Sequence, residues 1–164
     1  MDSFEEGPEE NLVAVLTKKS LVLAAAESCT AGLVADRIAR VPGASKVFWG
    51  SFVCYTPQAK MKMLGVESEI LERYGPVSAE TAAAMAAGAV EKSGADLALS
   101  VTGLAGPEGD GSNVPVGTVW IGTARKNGPG TAGIFHFTGS RNELRSKAAL
   151  EAVNQILKQL QEFF

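Results

Sequence analysis

Leu21-Val22-Leu23-Ala24-Ala25-Ala26 runs directly into Glu27-Ser28-Cys29-Thr30-Ala31-Gly32 and then into Leu33-Val34-Ala35-Asp36-Arg37-Ile38-Ala39-Arg40. The first stretch is a short, unbroken apolar run and reads as a buried strand. The third has helical spacing of its apolar residues. Between them a serine is placed at a strand-to-helix turn, beside the unpaired amides that begin a helix. That arrangement can hold an exposed hydroxyl next to donors for an anion, which suits a nucleophile and its oxyanion stabilisers. It equally suits a plain helix N-cap supplied by Ser28 or Thr30.

The pattern continues outward on both sides. Upstream, Pro8 to Ser20 carries an apolar stripe of Leu12, Val13 and Leu16, with Lys18 and Lys19 near its end, and predicts a helix. Downstream, Pro42-Gly43 closes the helix that starts near Thr30. Val47 to Tyr55 is rich in branched and aromatic residues and predicts a strand. Thr56-Pro57 reads as an N-cap with proline in the first helical position, opening a helix that carries Lys60 and Lys62. A short helix over Glu67 to Tyr74 and an alanine-rich helix from Ser78 to Ser93 follow. Asp96 to Thr102 predicts a third buried strand. Val116–Arg125 and Thr131–Thr138 predict a hairpin, and a helix from about Asn142 to Leu160 closes the chain. Alternating helices and strands with a late hairpin predict an α/β fold. Its form is a three-layer α/β/α sandwich around a mixed, mostly parallel five-stranded sheet. Residues 8–164 read as one domain, and the acidic first seven residues as a disordered leader.

Composition excludes several functions. A net charge of -3 with scattered basic residues does not suit a nucleic-acid grip. No apolar stretch is long enough for a membrane span, and the acidic start has no signal core, so a cytoplasmic location is expected. Cys29 and Cys54 have neither metal spacing nor a disulfide framework, and His136 is the only histidine; no metal site is expected. Exposed apolar surface on the alanine-rich helix would permit a homo-oligomer.

In α/β sheets ligands gather beyond the carboxyl ends of the strands. Three polar groups fall there: Ser28-Cys29-Thr30, Tyr55 with Lys60, and Thr102-Gly103 at the start of a loop rich in glycine. Ser28 needs a base. His136, placed mid-strand, reads as structural. Lys60 sits near a helix start, where dipole and burial would disfavour the ammonium form, and a Ser-Lys pair is a route to an activated serine. Its ordinary alternative is a solvated lysine. Tyr55 can hold the lysine or relay a proton, or simply pack at the core margin. Cys29 is a rival nucleophile, ranked below Ser28 for lack of a nearby histidine. Glu108 and Asp110 read as solvated. Arg141 and Arg145, one turn apart, can each bind a phosphate.

Six motifs occur in order: Glu27–Gly32, Gly50-Ser51-Phe52-Val53-Cys54-Tyr55-Thr56-Pro57-Gln58-Ala59-Lys60, Tyr74-Gly75-Pro76-Val77-Ser78, Thr102-Gly103-Leu104-Ala105-Gly106-Pro107, Pro115–Val119 and Arg141-Asn142-Glu143-Leu144-Arg145. Together they resemble the CinA C-terminal domain family, whose enzymatic members are nicotinamide mononucleotide amidohydrolases (PncC). The resemblance covers nearly everything after the acidic leader. It implies the same sandwich fold and a metal-independent serine amidohydrolase needing no cofactor. Such an enzyme converts nicotinamide mononucleotide and water into nicotinate mononucleotide and ammonia. It implies Ser28 as nucleophile, Lys60 as general base and Tyr55 in support. Thr30, Thr102, Gly103, Ala105 and Gly106 would line the nucleotide site, with Arg145 or Arg141 near the phosphate. The expected oxyanion donors are the amides opening the helix after Ser28. The family's historical name also leaves a non-catalytic reading open: a nucleotide-sensing or competence and DNA-damage module. Larger CinA proteins carry a further N-terminal domain, for which this chain leaves no room. Two departures stand out: Ala31 replaces the first glycine of a usual Gly-Gly pair, and no lysine precedes Pro115.

Overall fold

A computed structural model describes residues 7–163, so the expected disorder of the leader concerns residues almost all outside the described ones. The elements run α1 (Pro8–Lys19), β1 (Leu23–Glu27), α2 (Leu33–Ala39), β2 (Phe48–Val53), α3 (Pro57–Leu64), α4 (Ser68–Tyr74), α5 (Ala79–Ser93), β3 (Leu97–Gly103), β4 (Thr118–Arg125), β5 (Thr131–His136) and α6 (Arg141–Phe163). The five strands form one sheet in the order β2-β1-β3-β4-β5. β1 pairs parallel with both β2 and β3, while β4 is antiparallel to β3 and to β5. Four of the five strands therefore point the same way, and β4 alone is reversed. The expected sandwich is present.

Alternation along the strands sorts the two faces. Leu23 and Ala25 of β1, with Leu97, Leu99 and Val101 of β3, face a core filled from α1, α2 and α6 by Leu12, Leu16, Ile38, Val153 and Ile156. Ala24, Ala26 and Ala98 face the other way, onto Leu64, Met85, Ala86 and Ala89 of α3 and α5. The second layer is built from small residues, so its helix lies close to the sheet. A Cβ at Gly122 of β4 would strike the carbonyl of Ala82, and one at Gly130 the carbonyl of Ala83.

This packing overturns one expectation. The alanines of α5 are buried or half-buried, and Glu80, Glu91 and Lys92 are its exposed residues. Alanine here allows close approach rather than offering a face to a partner. Exposed large apolar side chains lie elsewhere, among them Trp49 and Val53 of β2, Met61 and Met63 of α3 and Ile134 of β5. No helix among the described residues is long and apolar enough to cross a membrane.

The caps follow the sequence. Thr56 Oγ1 accepts the Ala59 amide at 3.1 Å, with Pro57 opening α3. Ser78 Oγ accepts the Thr81 amide at 3.2 Å at the start of α5. α2 begins later than expected, at Leu33, because Ala31 (φ 47°) and Gly32 (φ 100°) are both left-handed and make a turn of residues that helical spacing would include.

Candidate active site

The parallel strands β1, β2 and β3 end on one side of the sheet, and their following residues surround a cavity of about 240 Å³. Ser28 follows β1, Tyr55 follows β2, and Gly103 closes β3 where the glycine-rich loop begins. Ser28, Lys60, Tyr55, Thr102 and Gly103 all line this space, together with Ala105, Gly106 and Arg141. The three expected polar groups do converge.

At its floor Lys60 Nζ donates to Ser28 Oγ at 2.9 Å and to the Cys54 carbonyl at 3.2 Å. Lys60 is 1% exposed and Ser28 8%. α3 buries Lys60 and Leu64, one turn apart, on its inner face, which is why a lysine near a helix start enters the interior. No salt bridge among the described residues reaches Lys60. Burial is the largest influence and pulls its pKa below the ordinary 10.5, opposed by the charge that Cys54 and Cys29 would carry if ionised. A neutral amine 2.9 Å from a hydroxyl can take its proton.

Cys29 lines the same cavity but is chemically quiet. Burial pushes its thiol up to about 11, outweighing the opposing effects of its own amide, Lys60 and Arg145. Cys54 is likewise raised to about 11 by burial. The rival nucleophile is therefore held as a thiol.

The expectation for the α2 amides is corrected by a residue that sequence reasoning passed over. Glu27, the last residue of β1, is 0% exposed. Its Oε1 accepts the Thr30 hydroxyl at 2.8 Å and the amides of Gly32 at 3.2 Å and Val34 at 2.8 Å. Its Oε2 accepts the Ala35 amide at 3.3 Å and the Ser51 hydroxyl at 2.7 Å. The helix start is thus already occupied by an internal carboxylate and offers nothing to an oxyanion. The Cys29 and Thr30 amides, in the turn itself, make no hydrogen bond to another described residue. The sequence signal for Glu27 was an acidic residue ending an apolar strand just ahead of a helix start, where negative charge is favoured.

Six further candidates lie in or around this site, some of them away from the places expected. The Thr30 hydroxyl is turned onto Glu27 and is away from the cavity. Thr102 lines it, yet its hydroxyl is spent on the Pro76 carbonyl at 2.7 Å, which ties the wall before α5 to β3. Arg145 stands behind the turn: Nε donates to the Cys29 carbonyl at 2.9 Å and Nη2 to the Thr30 carbonyl at 3.1 Å. Arg141 lies at the mouth, donating through Nη1 to the Gly106 carbonyl at 2.7 Å and through Nη2 to the Tyr55 hydroxyl at 2.8 Å. Tyr55, 53% exposed, is therefore joined to Arg141 rather than to Lys60. His136 is exposed at the end of β5, not mid-strand, and does not line this cavity.

Comparison with known proteins agrees with this fold. Residues 5–160 match the family model described as the CinA C-terminal domain. A CinA-like protein of Kosmotoga olearia is 43% identical over 156 residues, covering 95% of this chain and 38% of its own length. One of Geobacter metallireducens is 43% identical over 152 residues, covering 93% of this chain and 37% of its own length. The chain thus spans less than two fifths of these curated relatives. Among solved structures, a CinA superfamily protein from Escherichia coli superposes with TM-score 0.85 at 36% identity, over 97% of this chain and 93% of that one. The competence/damage inducible protein CihA from Agrobacterium tumefaciens gives 0.86 at 37% identity, over 98% and 99%. By sequence, and by the solved structures it superposes on, this chain belongs to the CinA C-terminal domain family.

Proposed function

We propose that this protein is an amidohydrolase that converts nicotinamide mononucleotide and water into nicotinate mononucleotide and ammonia through an acyl-serine intermediate. The observation that carries the proposal is the buried 2.9 Å contact between Lys60 Nζ and Ser28 Oγ, with the lysine pKa lowered by burial. A binding module has no use for a buried amine of lowered pKa held against a serine. The choice of substrate rests on the family resemblance, and the cavity wall and Arg141 are the features that would receive the nucleotide.

Ser28 Oγ attacks the carboxamide carbon as its proton passes to Lys60 Nζ. The C=O electron pair moves onto oxygen, and the unpaired Cys29 amide in the cavity-lining turn is a donor available for that charge. Each such donor is worth about 3 kcal/mol. Lys60 then returns the proton to the departing nitrogen, the C–N bond breaks, and ammonia leaves. Water, deprotonated by the same amine, attacks the acyl-enzyme and restores Ser28.

The test is an ammonia assay on nicotinamide mononucleotide, with nicotinamide riboside and nicotinamide alongside. Native protein should release ammonia from the mononucleotide, and Ser28→Ala should release none while keeping its fold. Near-normal turnover by Ser28→Ala would remove the nucleophile from the scheme. The relatives' names, which speak of competence and damage, keep a second reading in play: a non-catalytic nucleotide-sensing or competence and DNA-damage interaction module. Tight binding of the mononucleotide without turnover by the native protein would select it.

A further inference from the structure

We infer that Glu27 is a positioning residue for the Ser28–Lys60 pair, an inference that rests on the serine-lysine reading above. Ser28 follows β1 and Lys60 lies on α3, the helix after β2, and a 2.9 Å contact between them survives only if these two segments keep a fixed separation. Glu27 is the point where the two are joined. Through Oε1 it holds the Thr30 hydroxyl and the amides of Gly32 and Val34, which fixes the far end of the turn that begins at Ser28. Through Oε2 it holds Ser51 of β2. Its main-chain carbonyl accepts the Cys54 amide at 2.8 Å, and the Cys54 carbonyl is in turn an acceptor for Lys60 Nζ. One residue therefore grips the nucleophile's turn with one oxygen, the strand that leads to the base's helix with the other, and Cys54, which supplies the base's acceptor, with its backbone.

The side chain also does this without disturbing the base. A buried carboxylate bonded to Lys60 would hold the ammonium form. Glu27 has instead five donors, three of them the amides of Gly32, Val34 and Ala35 at the start of α2, and none is Lys60. Its charge is satisfied by the helix start. An uncharged amide in its place must present an NH₂ to one of these two groups of donors, so Glu27→Gln keeps the shape and breaks part of the grip.

Acylation of Ser28 by p-nitrophenyl acetate tests this. Burst amplitude counts competent sites, and the burst rate reads the pair's geometry separately from the amount of folded protein. Glu27→Gln should keep an amplitude near that of the native protein while its acylation rate constant falls about tenfold or more, as misplacement of a reacting pair does. Ser51→Ala, which retains the carboxylate and removes one donor, should fold normally and lose about threefold. It carries the test if Glu27→Gln does not fold. Acylation rates per titrated site within about twofold of native in every variant that folds, with only amplitude or melting temperature lowered, would reduce Glu27 to a structural residue and overturn the inference. The probe also separates the two proposals. A Ser28-dependent burst without turnover of nicotinamide mononucleotide sinks the substrate assignment and leaves this result readable. Absence of a Ser28-dependent burst in the native protein sinks both.

Discussion

Glu27 and Lys60 are buried ionisable side chains at the same end of the sheet, housed in opposite ways. The carboxylate is given five donors and no freedom. The amine is given a hydroxyl and one carbonyl, with no anion beside it. A satisfied buried charge stabilises local structure, whereas a buried amine short of partners gives up its proton easily. The difference separates scaffold from chemistry within a few residues of Ser28.

The largest effect that would break this contrast is at Lys60. Lys60→Met should lower ammonia release by about 10²-fold or more, the usual range for loss of a general base. It should also raise the melting temperature at pH 7. The lysine pKa is lowered from 10.5, so the unfolded chain binds this proton more tightly than the native one. The burial cost is present at all pH below the unfolded value, shrinks as pH rises between the lowered value and 10.5, and is gone above it. The variant's gain in stability should narrow accordingly in melts run from pH 7 upward. A variant less stable than native at pH 7 would place Lys60 among the structural charges.

The pH dependence of kcat/KM sharpens the same point. Activity should rise with pH through the Lys60 ionisation and level off below 10.5. An inflection at or above that value would mean the amine is not depressed in the working enzyme.

The two arginines repeat the contrast at smaller scale. Arg141 at the mouth should touch the ligand's phosphate, and Arg145 should act on the turn through the carbonyls it holds. Arg141→Met should raise KM for the mononucleotide about tenfold, consistent with loss of a charged hydrogen bond, and leave the riboside unaffected. Arg145→Met should instead lower kcat on both alike. A phosphate-selective loss at Arg145 and none at Arg141 would exchange their roles.

The smallest effect is at Ala31. Its left-handed φ of 47° costs about 1 kcal/mol in an alanine. Glycine would remove that cost but add roughly 0.4–1 kcal/mol of unfolded-chain freedom. Ala31→Gly should therefore move stability by less than about 1 kcal/mol in denaturant titrations. A larger loss would mean that the methyl group makes a contact of its own.

Much of this was legible in residue order. The strand-turn-helix at Ser28, the threonine-proline start of α3 and the serine cap of α5 are local rules, and they hold where the chain makes its own hydrogen bonds. Lys60 was visible as a candidate, but its burial depends on α3 turning that face inward with Leu64, which is settled by tertiary packing. The α2 amides failed as oxyanion donors for a similar reason: Glu27 reaches back from the strand and fills them. Ser140 and Glu143 exchange hydrogen bonds at 2.7 and 3.4 Å ahead of α6, a reciprocal cap that the spacing carried and the expected start at Asn142 missed. Which of Arg141 and Arg145 lines the cavity was not legible, because helical spacing shows that two arginines share a side, not which one meets solvent.

The missing side chain at Gly122 has a distant effect on the ligand. A methyl group there would press on Ala82 and lift the helix whose leading residues, Pro76 and Val77, wall the cavity. How large a guest this protein admits is therefore tuned from beneath the sheet. Engineers or natural drift could widen or narrow its appetite without altering a residue that any guest ever meets.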